Sequence, residues 1–187
     1  MRKLSSFTHV TLDGFFADAN GAMNWAHDGN DNDEWREFVA GNAQGGGCLV
    51  FGRVTYQMMA GYWPSDIARS SNPVVAERMN DGPKIVFSRT LGKADWRNTT
   101  LIKTDLIAAV KKLKAESGPD MVILGSGSIV AQLADAGLID AMQLVVNPLA
   151  LGQGKPLFGP IGKPLGLKLS DSRTFGNGKV VLSYAPA

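Results

Sequence analysis

The sequence predicts an α/β fold in which helices are layered on a central sheet that ends in an antiparallel hairpin. Short apolar runs alternate with amphipathic stretches along most of the 187 residues, the pattern of strands and helices packed in layers. One run, Met121-Val122-Ile123-Leu124, is apolar at every position, as a central strand covered on both faces should be. Near the end, Asn177-Gly178 separates two strand-like segments, and its tolerance of positive φ suits a tight hairpin turn.

Taken in order, Leu4 to Thr11 reads as the first strand and is followed by a long polar loop through Asp33. Trp35, Phe38 and Val39 then recur at helical spacing. Cys48-Leu49-Val50-Phe51 is a buried strand, Val54 to Ala60 is helical, and Ile85-Val86-Phe87 and Thr99 to Ile102 are short strands. In the next helix Thr104 is placed to cap, Asp105 suits the positive N-terminal end, and Leu106, Val110 and Leu113 share one apolar face before Gly118 and Pro119 stop it. After the central strand, Ser128 to Ala136 offers Ile129 and Leu133 to the sheet and ends at Gly137, a natural left-handed terminator. Met142 to Val146 is a strand, and the tail adds Leu167 to Phe175 and Val180 to Tyr184. No repeat or linker interrupts the series, so one domain over residues 1–187 is expected, long enough for a sizeable core.

Composition narrows the function. Hydrophobic residues make up 44% and charged residues 19%, with 22 glycines and 9 prolines, which excludes disorder as the main state. The net charge of +2 comes from 19 basic and 17 acidic residues spread along the chain, with no footprint for nucleic acid or an anionic membrane. A small-molecule substrate is expected. The lone Cys48, with His9 and His27, is too sparse for a structural zinc site, so no metal is expected. The glycine-rich uncharged stretch Phe38 to Gly52 falls short of the roughly 20 apolar residues of a membrane span. Residues Leu4 to His9 lack the apolar region of a signal peptide, and a cytoplasmic location is expected.

The chemistry gathers at three strand ends. Phe51 runs into Gly52-Arg53-Val54-Thr55, Phe87 into Ser88-Arg89-Thr90, and Leu124 into Gly125-Ser126-Gly127-Ser128. If these strands are parallel, the three turns share the sheet edge where open α/β sheets form their ligand crevice. The Gly-Ser-Gly-Ser turn can bring backbone N–H groups to a phosphate at a helix N-terminus, and Arg53 and Arg89 carry planar forks suited to phosphate oxygens. An elongated phosphorylated ligand such as a dinucleotide would fit. Each turn also has a plainer reading: a capped tight turn, a solvated Arg89, a common Gly-Arg strand end. The standard motifs fail, because Val130 fills the third glycine position of a G-x-G-x-x-G and no P-loop lysine follows. On the cofactor reading a bulky residue at Ser126 should block phosphate approach without disturbing the fold.

Other candidates are Asp13 and Glu34. Asp13 precedes Gly14 and reads as a turn former or as a substrate-orienting carboxylate. Glu34 borders the apolar helix face and either favours the helix start or faces a pocket. As carboxylates near the expected crevice, these two are the candidates to orient a substrate or to supply a proton. Trp25, Trp35, Trp63 and the Met58-Met59 pair read as core, and His27 as a solvated loop residue. No Ser/His/Asp or Cys/His nucleophile arrangement stands out. The apolar segment Leu144 to Leu151 reads as an edge buried in a homodimer or as a central strand.

Six motifs in order carry a resemblance over essentially the whole chain: Thr11-Leu12-Asp13-Gly14-Phe15, Phe51 to Tyr56 with Gly61-Tyr62-Trp63-Pro64, Lys84 to Leu91, Ile123 to Gly127, Ala136 to Asp140, and Asn147 to Phe158. The sequence resembles the dihydrofolate-reductase-like proteins related to the reductase domain of the riboflavin-biosynthesis deaminase–reductase, in their stand-alone branch. That resemblance implies a three-layer fold with a mostly parallel central sheet flanked by helices on both faces. It implies NADPH held by the three turns: Gly52, Arg53 and Thr55 near the phosphates, Ser88, Arg89 and Thr90 near the 2′-phosphate, and Gly125, Ser126, Gly127 and Ser128 around the pyrophosphate. It also implies a homodimer and hydride transfer to a C=O or C=N group of a heterocyclic or ribosylaminopyrimidine-like substrate, with the nicotinamide carrying the chemistry. A dihydrofolate- or pteridine-reductase-like activity and a non-catalytic nucleotide-binding module are the alternatives. Two departures stand out: Gly125-Ser126 replaces the family's two adjacent glycines, and Met58-Met59-Ala60 stands where riboflavin reductases carry an acidic pair.

Overall fold

The computed structural model describes residues 1–26 and 32–187. The chain runs β1 (Leu4–Thr11), β2 (Phe15–Ala17), a 3-10 turn (Asn24–Ala26), α1 (Asp33–Gln44), β3 (Cys48–Gly52), α2 (Arg53–Tyr62), α3 (Asp66–Ser71), α4 (Pro73–Asp81), β4 (Lys84–Phe87) and β5 (Thr99–Ile102). It continues with α5 (Leu106–Ala115), β6 (Met121–Leu124), α6 (Gly127–Asp135), β7 (Ala141–Asn147), β8 (Lys155–Pro156), β9 (Leu167–Thr174) and β10 (Val180–Pro186).

Eight strands form one sheet in the order β5-β4-β3-β6-β1-β7-β10-β9. The pairings from β5 to β7 are all parallel, and β10 runs antiparallel to both β7 and β9. β2 and β8 make a separate antiparallel ribbon.

Alternation along the strands explains the two covered faces. Val50, Ile85 and Ile123 join one core with Val110 of α5 and Ile129, Val130 and Leu133 of α6. Their neighbours Leu49, Phe51 and Val86 join the opposite core with Tyr56 of α2, Val75 and Met79 of α4, and Trp96. Every position of such a strand meets a helix layer, so the apolar runs are continuous. On the same side as α4, α1 lays Trp35 against Val145, Phe175 and Val181. The three-layer, mostly parallel α/β architecture with a C-terminal antiparallel hairpin is therefore present.

Local chemistry sets the boundaries and corrects several expectations. Asp105, not Thr104, caps α5, its carboxylate accepting from the Ala108 N–H at 2.9 Å. Asp33 opens α1 rather than ending a loop, because Asn32 caps that helix by accepting from the Trp35 N–H at 2.9 Å. Gly137 ends α6 with φ +66, and the Leu138 N–H reaches back to the Leu133 carbonyl at 2.9 Å, the paired closure that follows a left-handed residue. The structure adds β2, α3, α4 and β8, which the apolar pattern does not signal. Ser65, which caps α3, and Pro73 in the first turn of α4 mark the two missed helices. Met58 is exposed rather than core. His27 lies outside the described residues. Leu144 to Asn147 belongs to β7, which is paired with β1 on one side and β10 on the other, so this segment is an internal strand and gives no support to an edge-mediated dimer.

Lys84 is the one charged side chain deep in the α4 layer among the described residues, at 1% exposure. Its ammonium donates to the carbonyls of Met79, Asn80 and Gly82 at 2.7–2.9 Å and closes the C-terminal end of α4, where the helix dipole favours a cation. Burial nevertheless pushes its pKa down to about 8.

Candidate functional site

β4, β3 and β6 are neighbours in the sheet and run parallel, so the turns that follow them stand side by side on one edge. At the first turn Gly52 ends β3, and a Cβ there would come within 3.2 Å of the Ile129 side chain. Arg53 opens α2, exposed, and donates to the Gln57 side chain at 3.0 Å. Thr55, half-buried two residues further, turns its methyl toward Gly125, 3.5 Å from where a Cβ would stand.

At the second turn the Ser88 N–H donates to the Ile102 carbonyl at 3.1 Å, extending the β4–β5 ladder. The Ser88 hydroxyl accepts from the N–H groups of Thr90 and Leu91 at 3.2 and 2.9 Å, which orders the turn from within. Thr90 is exposed with its hydroxyl 3.5 Å from that of Ser88. Arg89 is exposed and makes no hydrogen bond or ion pair among the described residues.

At the third turn Gly125 and Ser126 are both left-handed, with φ 56 and 54. The N–H groups of Ser126, Gly127 and Ser128 have no partner among the described residues. Three open donors therefore sit at the positive end of α6, with two guanidinium groups that no carboxylate neutralises. The Phe16 ring of β2 fills the position that a Cβ on Gly127 would take, so only glycine fits there. The Ser126 side chain points inward, 8% exposed, which corrects the expectation that a bulky residue at 126 would leave the fold untouched.

Lys103, which no sequence motif marks, follows β5 at the same edge. Its strand pairs Ile102 with Phe87, so it stands one strand over from Ser88 and Arg89. Its signal is spatial, because only the strand order makes it a neighbour of the second turn.

Asp13 and Glu34 lie along the other half of the edge, and loops engage both. The Asp13 carboxylate accepts from the Thr11 hydroxyl at 2.5 Å and from the N–H groups of Leu151 and Gly152 at 3.0 and 2.7 Å. The Thr11 hydroxyl, then the Gly152 and Leu151 amides, hold its pKa below 3.8. Glu34 accepts from the Gly176 N–H at 3.2 Å and from Arg173 at 3.1 Å. The Gly176 amide first and the Arg173 guanidinium next hold its pKa below 4.5. Both groups are ionised at neutral pH, so neither is poised to give up a proton.

A cavity of about 660 Å³ opens on the α2–α4 face, floored by Tyr56 and Trp96. Its wall includes Gln57, which Arg53 reaches, and Leu91, whose N–H donates to the Ser88 hydroxyl, so it borders the first and second turns. Its cations Arg69, Lys93 and Arg97 are each paired with an aspartate, so the charge for an anionic ligand is already taken.

Residues 2–181 match the model of the RibD C-terminal domain. The chain belongs to that family. Two Bacillus subtilis proteins called uncharacterized are similar: YyaP, 29% identical over 94% of this chain and 90% of that protein, and YwjB, 26% identical over 100% and 99%. Among solved structures, a putative riboflavin biosynthesis protein from Shewanella sp. PV-4 superposes with TM-score 0.73 at 22% identity, covering 99% of both chains. Acinetobacter baumannii RibD gives TM-score 0.71 at 18% identity, with this chain spanning 58% of its length. The Thermotoga maritima diaminohydroxyphosphoribosylaminopyrimidine deaminase/5-amino-6-(5-phosphoribosylamino)uracil reductase gives 0.68 at 14%, with 57% of its chain covered. These likenesses show the same fold, and membership in the RibD C-terminal domain family supports a reductase-like role. Among the described residues no helix is long and apolar enough to cross a membrane.

Proposed function

We propose that this chain is an NADPH-dependent oxidoreductase that reduces a C=O or C=N group of a small heterocyclic or ribosylaminopyrimidine-like substrate. The observation that carries the reading is the row of three turns on adjacent parallel strands, with open N–H groups at the start of α6 and uncompensated Arg53 and Arg89 beside them. Those groups match an extended, multiply anionic ligand. On this reading the Ser126, Gly127 and Ser128 amides hold the pyrophosphate, Arg53 and Thr55 sit against its flank from Gly52 onward, and Ser88, Arg89 and Thr90 receive the 2′-phosphate. The cofactor supplies the hydride; the protein supplies binding, orientation and electrostatics.

Because loops occupy Asp13 and Glu34, they act as positioning groups for the first loop and the C-terminal hairpin, and we assign the proton that accompanies reduction to water. The same observation favours a second reading, a nucleotide-binding module without turnover. Stopped-flow or steady-state absorbance at the reduced-nicotinamide band separates the two: consumption of NADPH with pterin- or aminopyrimidine-type compounds supports the reductase, whereas tight binding without consumption across that panel supports the module. A homodimer belongs to the same proposal, and a monomer mass by light scattering at micromolar concentration would remove it.

A further inference from the structure

One hydroxyl bridges the backbones of the first and third turns. Along β3 the backbone donors alternate between its two neighbours. The Leu49 N–H reaches the Pro83 carbonyl on the β4 side at 2.9 Å, and the Cys48 N–H reaches the Asp120 carbonyl on the β6 side at 2.7 Å. The parallel register pairs Cys48 with Met121 and Val50 with Ile123, so the alternation returns to the β6 side at Gly52, where the ladder would next offer the Leu124 carbonyl. The two backbone groups do not meet. The Gly52 N–H donates instead to the Ser126 hydroxyl at 2.9 Å, and that hydroxyl donates onward to the Leu124 carbonyl at 3.3 Å. A hydroxyl has the donor and the acceptor this relay needs.

The position carries a cost that makes the residue choice informative. Ser126 adopts φ 54, ψ 51, a left-handed conformation that glycine takes freely and other residues take under strain. Glycine would satisfy the backbone better, yet it would leave the relay empty. From the other side, Thr55 of α2 packs toward Gly125, so the spacing of β3 and β6 also sets where Arg53 and Thr55 stand relative to the open amides of α6.

We propose that Ser126 is a positioning residue whose hydroxyl, inserted between the Gly52 N–H and the Leu124 carbonyl, spaces the first and third turns to the width of the cofactor's phosphates. The role presupposes NADPH at the three turns, and the experiment keeps the two ideas apart. NADPH dissociation constants and thermal midpoints are measured for the wild type, Ser126→Gly, Ser126→Ala and Ser126→Thr. The Gly variant relieves the backbone and removes the hydroxyl, so its midpoint should equal or exceed that of the Ala variant while its affinity falls about tenfold, the size expected for one bridging hydroxyl. The Thr variant keeps the hydroxyl but is strained by its β-branch, so it should melt lower and bind more tightly than the Gly variant. Opposite orders of stability and affinity are the signature. A Gly variant that binds like the wild type, or affinities that simply follow the midpoints, would overturn the spacer. A wild type that binds neither NADPH nor NADH removes the cofactor reading instead.

Discussion

Two halves of the same sheet edge treat their polar groups in opposite ways. After β4, β3 and β6 the turns leave theirs open: three amides at the start of α6 and the Arg53 and Arg89 guanidinium groups lack anionic partners among the described residues. After β1 and along the β9–β10 hairpin, the comparable charges are consumed, Asp13 by the Leu151 and Gly152 amides and Glu34 by Gly176 and Arg173. Charge type alone therefore does not mark a reactive group. What distinguishes the halves is whether a neighbouring loop has already satisfied the group, and the proposed binding site lies where none has.

The largest effect expected from breaking this contrast is on stability. Trp35 is 4% exposed and packs edge-on against Phe175 with ring centroids 5.0 Å apart. Trp35→Ala should cost about 3–5 kcal/mol, the range for deleting a buried aromatic, read as a shift in denaturant midpoint. Cofactor affinity of the folded variant should stay unchanged, since the three turns lie on the other half of the edge; a parallel loss of affinity would show that the halves are not separable.

Next in size is Arg89→Ala. A guanidinium holding a phosphate through charge-assisted hydrogen bonds in an exposed site should be worth on the order of 1–3 kcal/mol, or roughly ten- to a hundredfold in NADPH affinity. Affinity for NADH should hardly move, and added salt should narrow the NADPH preference. Calorimetric titration of both cofactors at two ionic strengths checks all three statements. Lys103→Ala, one strand further out, should act in the same direction by only a few-fold, because an exposed lysine offers a single, well-hydrated point charge.

The fold was legible where periodicity and strand chemistry agreed. Leu49, Val50 and Phe51 alternate between two cores, and Asn177-Gly178 turns the hairpin, so both features were readable from residue pattern. The ribbon of β2 and β8 was not, because its pairing of Phe15 with Pro156 depends on contacts between distant segments. In the site, Gly52, Arg53, Ser88, Arg89 and Gly125 to Ser128 were legible as small or basic residues ending apolar runs, and the parallel order of β4, β3 and β6 places them together. The engagement of Asp13 and Glu34 was hidden, since the amides that occupy them come from residues 138 and 142 positions away along the chain. The inward turn of Ser126 was hidden as well, because it follows from where β3 and β6 diverge.

The smallest expected effect is a pH dependence confined to the engaged half. The folded pKa values of Asp13 and Glu34 lie below their ordinary 3.8 and 4.5, so in acid the unfolded chain binds the protons more readily than the folded one. Their stabilisation is present above those ordinary values and is lost as pH falls through the lower folded ones. Asp13→Asn should make the acid side of the stability curve shallower in chemical denaturation between about pH 5 and 2, with cofactor affinity at neutral pH unaltered. A curve of unchanged slope would mean that the Leu151–Gly152 loop does not depend on the carboxylate.

The central claim, that the open half of the edge is a site for a 2′-phosphorylated dinucleotide, is tested most directly by titrating the wild-type protein with NADPH and NADH at one fixed ionic strength. Saturable binding of both, with NADPH tighter by roughly ten- to a hundredfold, is the predicted result. Equal affinities, or no binding of either, would contradict it.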